Sequence, residues 1–207
     1  MNPAAIPPQS AIAPGQPAWR VALFYPEQGG WTEADYLALN GGPLVEFDDG
    51  CVEVLDLPTR EHQRVAQFLF IRLRQFVMDR GIGEVFMAPL PVRLWPRKFR
   101  EPDVVYVARG RGEVGGYPDG ADLVMEVVSP GAEDRRRDLE IKPDEYSRAG
   151  IAEYWAVDPE AERVLVHQLQ DTRYRVADFR GNDLIISETL PGFEVPVQEI
   201  MASARGT

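Results

Sequence analysis

The segment Asp122–Val128, DLVMEVV, limits the fold more than any other stretch of this chain. It is almost continuously apolar and ends at Ser129-Pro130-Gly131. A run of this length and composition suits a strand covered on both faces, and such strands occur in sheets sandwiched between layers. Glu126 lies in its middle. A carboxylate there is costly unless it is paired or binds a cation. Side chains alternate along a strand, so Asp122, Val124, Glu126 and Val128 share one face.

The flanking pattern predicts the covering layers. Arg60–Arg80 carries Val65, Leu69, Leu73 and Phe76 at helical spacing, with Phe68 and Val77 widening the stripe and Gly81 closing it. A short helix over 31–40 begins at Thr32, with Asp35 completing a capping box and Gly41-Gly42 stopping it. LVEFDD and CVEVLD flank Asp49-Gly50, a hairpin signal. VFMAPL, PVRLW and DVVYVA read as strands. Ala132–Ala149 reads as a helix capped by Gly150, and Pro143 should kink it or open a second helix. EYWAVDP is a further strand. RVLVHQL and YRVADF form a hairpin pair, and DLIISE and a short terminal helix follow. The expected class is α/β: a mixed central sheet flanked by helices, with additional N-terminal and C-terminal β-hairpins.

The 207 residues, 44 % hydrophobic and 27 % charged, suit one domain with a sizeable core. The Pro/Ala-rich residues 1–18 read as a disordered tail and 19–207 as the domain. The start lacks the basic and apolar regions of a signal peptide, and no stretch approaches membrane-spanning length. Cys51 is the only cysteine, so an internal disulfide is excluded, and with His62 and His167 it is too few for a zinc finger. These features fit a cytoplasmic protein. A net charge of -11 argues against a general nucleic-acid coat protein. Local positive clusters exist at Arg93/Arg97/Lys98/Arg100, Arg109/Arg111 and Arg135–Arg137.

Asp103 opens the strand before Glu126. If the two strands pair at the usual spacing of about 4.8 Å, their carboxylates can converge on one hard cation. Lys142 lies on the following helix with Asp138 four residues before it, on the same face. A lysine there could position a nucleophile or offset charge in a phosphoryl transition state. Each residue has a structural alternative. Asp103 could be a turn residue after Pro102, Glu126 the partner of an arginine such as Arg93, and Lys142 an ion-pair partner of Asp138. Ser129 reads as a strand stop, and Tyr146, Tyr154 and Trp155 as core.

Taken together, EPDVVYV, DLVMEVVSP and RRDLEIKPDEYSRAGIAEYWAVDPE resemble a bacterial putative restriction endonuclease family of the PD-(D/E)XK nuclease superfamily. VEFDDGCVEV, REHQRVA and PVRL extend the likeness over roughly 31–201. The resemblance implies magnesium-dependent hydrolysis of DNA phosphodiesters by an activated water, with manganese as an alternative metal and a homodimer as the assembly. Matched by position, Asp103 and Glu126 are the metal ligands. Val128 stands where the superfamily usually has its lysine, and Lys142 matches the lysine relocated to the next helix. Asp138, Glu61 and His62 match accessory positions, though Glu61 and His62 could equally be an ordinary first helical turn. A non-catalytic nucleic-acid-binding or regulatory module on the same fold is the rival expectation. A phosphate-ester hydrolase acting on a substrate other than nucleic acid is a third.

Overall fold

The backbone comes from a computed structural model that describes residues 25–39 and 44–206. The expected 1–18 tail and the Gly41-Gly42 stop lie outside these residues. Helix α1 (Glu33–Leu37) opens with the anticipated capping box between Thr32 and Asp35. The Asp49-Gly50 pair turns the chain between β1 (Val45–Asp48) and β2 (Cys51–Val54), both residues with positive φ. That geometry suits the right-handed twist of a two-residue hairpin. A Cβ at Gly50 would lie 2.6 Å from the Gly29 carbonyl oxygen, so glycine is required twice over.

Helix α2 (Arg60–Arg80) starts at Thr59, whose hydroxyl accepts from the His62 amide, and stops at left-handed Gly81. It buries Val65, Ala66, Leu69, Leu73 and Val77. Each large member of that stripe contributes about 1.5–3 kcal/mol.

Strands β3 (Gly83–Met87), β6 (Val104–Ala108), β9 (Leu123–Val127), β10 (Glu153–Asp158), β11 (Arg163–Gln170) and β12 (Arg173–Arg180) make one sheet in the order β12-β11-β10-β9-β6-β3. Only β9 and β10 run parallel; the other pairings are antiparallel. A second sheet, ordered β2-β1-β5-β4, adds β4 (Val92–Trp95) and β5 (Lys98–Arg100). Two small hairpins, β7 (Glu113–Val114) with β8 (Tyr117–Pro118) and β13 (Leu184–Ile186) with β14 (Glu194–Pro196), complete the strands of the described residues. The sequence pattern missed β5, β7, β8 and β14. The expected mixed sheet with flanking helices and terminal hairpins is present.

Strand parity sorts the core. Val104, Leu123, Met125, Val127, Trp155 and Val157 face α2 and the terminal helix α5 (Val197–Arg205). Val105, Val107, Val124, Val128, Tyr154 and Ala156 face the opposite way, with Val92 and Leu94 of the second sheet and Tyr146. Trp31, Tyr36, Val45, Phe47 and Phe99 form a third cluster around β1 and β5.

The β9-to-β10 crossover is not one helix. It runs as α3 (Ala132–Arg136), a π turn (Arg137–Ile141) and α4 (Lys142–Arg148). Pro143 explains the break. It offers no N–H to the Leu139 carbonyl, and its ring would crowd that group. The chain widens instead, and the Lys142 amide reaches back to the Arg137 carbonyl.

Candidate active site

The register of β6 against β9 pairs Val104 with Met125, and the next position sets Asp103 against Glu126. Their backbones and carboxylates interlock. The Val127 amide donates to Asp103 Oδ2 at 2.8 Å, and the Asp103 amide donates to Glu126 Oε2 at 3.3 Å. Both side chains line a cavity of about 260 Å³. The crossover delivers a cation to the same place. Lys142 Nζ lies 2.8 Å from Glu126 Oε1, 3.1 Å from Asp138 Oδ1 and 3.9 Å from Glu46 Oε1. Lys142, Glu126 and Asp138 are each at most 4 % exposed, so these charges meet with little water between them.

Tyr146 is core, as its sequence suggests, but its hydroxyl also donates to Glu126 Oε1 at 2.6 Å. The signal was its position four residues after Lys142, which puts Asp138, Lys142 and Tyr146 on one stripe. Tyr154 is buried and donates to the Asp138 carbonyl at 2.7 Å. Ser129 also lines the cavity.

His62 and Glu61 separate. His62 enters from the first turn of α2 and sets Nε2 3.1 Å from Asp103 Oδ2. Glu61 is exposed and does not line the cavity. Two lining residues gave no strong signal in the sequence. Arg137 is held by Glu53 at 3.1 Å and Asp134 at 2.5 Å. Glu101 is buried with Oε2 lacking a hydrogen-bond partner among the described residues.

The electrostatics follow from burial and charge balance. Burial pushes the Glu126 carboxyl up; Lys142 opposes this, and the neighbouring Asp103 and Asp138 add to it. Burial alone would discharge Lys142, but Asp138, Glu126 and Glu46 raise its pKa and keep it an ammonium. Burial also disfavours a charged His62, and its bond to Asp103 more than reverses that. Burial pushes Glu101 up to about 7, with Glu46 contributing.

Behind Lys142 lies a buried ion network. Arg100 binds Glu46 and, at 2.7 Å, Glu145, and Lys98 lies 2.6 Å from Glu145 and 2.8 Å from Asp48. The cluster Arg93/Arg97/Lys98/Arg100 is therefore not an open basic patch. Arg93 pairs with Glu33 and Asp119 rather than with Glu126. Arg111 pairs with Asp122, and Arg135, Arg136 and Arg137 with acids around them.

No group of three or more His, Cys, Asp or Glu side chains is arranged as a metal cage among the described residues. Of the acids that line the cavity, Asp103 and Glu126 face each other across adjacent strands and keep oxygen lone pairs free, as does the buried Glu101. Asp103 Oδ1 accepts no hydrogen bond from the described residues, and Glu126 Oε2 accepts only the 3.3 Å contact. Hard oxygen donors of this kind, few in number and completed by water or phosphate, fit a hard divalent cation. Among the described residues no helix is long and apolar enough to cross a membrane.

No curated protein matches the chain. A crystal structure titled as a putative nuclease belonging to DUF820, from Anabaena variabilis ATCC 29413, superposes with a TM-score of 0.71 at 16 % identity. The match covers 84 % of this chain and 99 % of that one, so the fold is shared. Residues 20–198 match the Uma2 family, described as "Putative restriction endonuclease", and with most of its length matched the chain belongs to that family.

Proposed function

We propose that the chain, read as one domain over 19–207, is a metal-dependent DNA endonuclease of the PD-(D/E)XK type. One observation carries this reading. Asp103, Glu126 and Lys142 come from a strand entrance, a strand interior and a crossover helix, yet all line one cavity.

Asp103 and Glu126 are the residues to hold a divalent cation, magnesium first and manganese as its substitute. Bound there, the cation would neutralise phosphate charge and acidify a water for attack. Lys142 is an ammonium at neutral pH beside Glu126. It can orient a water or meet the charge that grows on the phosphoryl oxygens. Asp138 holds Lys142 in place, and His62 holds Asp103 by a charge-assisted contact. Glu61 has no role in this scheme. A homodimer would let two such sites act on two strands.

A specific observation also supports the rival reading of a non-catalytic module. Lys142 and Tyr146 already satisfy Glu126 Oε1, as in a structural ion cluster. Plasmid cleavage with magnesium or manganese separates the two, with Asp103→Ala and Glu126→Ala as controls. The endonuclease reading expects cleavage by the parent, loss of at least about 100-fold in each variant, and none in EDTA. Cleavage that survives both substitutions unchanged removes the assignment.

A further inference from the structure

Six acids line the cavity, Asp56, Glu101, Asp103, Glu126, Asp134 and Asp138, against two Lys and Arg side chains among the described residues, Arg137 and Lys142. A phosphodiester brought here needs a positive contact of its own besides the metal. Lys142 acts from a fixed place. It sits among Glu126, Asp138 and Glu46, all buried, and swinging it out to a neighbouring phosphate would strand those charges.

Arg137 is held differently. Its Nη2 donates to Asp134 at 2.5 Å and its Nη1 to Glu53 at 3.1 Å. Asp134 belongs to the cavity and its side chain is 15 % exposed. Glu53 does not line the cavity; it comes from β2, and its side chain is 56 % exposed. Arg137 Nε is buried and has no hydrogen-bond partner among the described residues, so the guanidinium is not fully satisfied where it lies. Of its two hydrogen-bonded bridges, the one to Glu53 is the weaker tie. A pair with a solvated carboxylate contributes little, and Glu53 can return to water. A phosphate offers the planar guanidinium fork two oxygens and a stronger, charge-assisted pair.

We propose that Arg137 binds a backbone phosphate of the DNA, and that Glu53 holds that place until the DNA arrives. This rests on the endonuclease reading above. The exchange keeps the Asp134 bridge and replaces the Glu53 carboxylate by a phosphate at Nη1.

The test uses the full chain and a short fluorescein-labelled DNA duplex, followed by anisotropy over a range of salt. Calcium, a hard cation that takes oxygen ligands, stands in for magnesium. Arg137→Gln should weaken binding about 10-fold, the scale of one hydrogen bond to a charged group. It should also lower the slope of log affinity against log salt by about 0.9, the share of one phosphate contact. Arg137→Lys should keep the slope and lose part of the affinity, because it keeps the charge without the fork. Glu53→Gln should tighten binding about 2- to 5-fold, and that gain should vanish in the Arg137→Gln background.

Glu53 is exposed, so its variant tests the exchange even where Arg137→Gln does not fold: no gain in affinity overturns the proposal. An unchanged salt slope in Arg137→Gln, or a Glu53→Gln gain that persists in full without Arg137, likewise overturns it and leaves the endonuclease reading standing. A parent that neither binds the duplex nor cuts plasmid overturns both.

Discussion

Lys142→Met is the perturbation whose outcome the site geometry fixes most tightly. The side chain is 4 % exposed and its ammonium lies between Glu126 at 2.8 Å and Asp138 at 3.1 Å, with Glu46 at 3.9 Å. Methionine is close in length and apolar, so the loss of volume is small and the charge change dominates. Removing one partner of a buried ion pair costs about 3–5 kcal/mol, because the charges left behind stay desolvated. At about 2–4 °C per kcal/mol for a chain of this size, the melting temperature should fall by about 6–20 °C in EDTA. The loss should depend on pH. The Glu126 carboxyl already titrates above its ordinary value. A raised acid binds its proton more readily when folded, which favours the fold at low pH and is lost as pH rises through the raised value. Taking away the ammonium that opposes this raise strengthens the effect. The difference between parent and variant should therefore be largest near pH 8 and shrink towards about pH 5. Denaturant unfolding across that range, with circular dichroism to establish the native state, measures it. A variant within about 1 kcal/mol of the parent at pH 8 would refute the picture of Lys142 as the cation that balances the buried acids.

Two further outcomes follow from single contacts. Tyr146→Phe removes the 2.6 Å donor to Glu126 and nothing else, and should cost about 1.5–3 kcal/mol in urea unfolding, as befits a hydrogen bond to a charged group; a loss below about 0.5 kcal/mol would mean that the hydroxyl finds no charge to bind. His167 is buried between the Tyr154 and Tyr174 rings, and burial holds its pKa below the ordinary value. The unfolded chain then binds the proton more readily, so this neutral ring's stabilisation is complete above about pH 6.5 and is lost as pH falls. His167→Phe should flatten the decline in urea midpoint between about pH 7 and pH 5, and an unchanged slope would show that His167 takes no part in it.

The parts of this molecule that were legible in the sequence are those where one local cue outweighs tertiary context. The Asp49-Gly50 hairpin needs only two residues that tolerate positive φ. Helix α2 needs only its stripe and its two caps. Asp103 facing Glu126 required one further step, that successive strands pair. Strand β5 was hidden because Lys98 and Arg100 look like surface residues. They are buried because Asp48, Glu46 and Glu145, distant in sequence, neutralise them. Glu101 was hidden for a similar reason: a charged residue beside Pro102 reads as a turn, and only the tertiary fold closes over it. The split crossover was half legible. Pro143 marked the break, but its conversion into a π turn depends on how the backbone resolves the crowding.

On the PD-(D/E)XK reading proposed above, that π turn bears on the position where the chain departs from the superfamily pattern. Glu126 and Val128 share a strand face, so a lysine at 128 would stand beside the carboxylate on the same side of the sheet. In this chain Val128 is 5 % exposed and packs with Val92, Leu94 and Tyr146, a setting in which an ammonium would have to give up apolar contact. Lys142 reaches Glu126 on that same face from the helical layer above it. The proline that ends α-helical geometry sits one residue later, at the first turn of α4, where its missing N–H leaves fewer bonds unmade. On that proposed reading the charge arrangement around Glu126 is kept while its carrier moves from strand to helix. The crossover also brings Asp138, from the π turn, and Tyr146, from α4, to bear on the same group of atoms. A lysine two residues along β9 would carry no such neighbours with it. The relocated version is therefore the more heavily braced of the two, and the cost of Lys142→Met should exceed that of an exposed lysine by the whole of the buried-pair penalty.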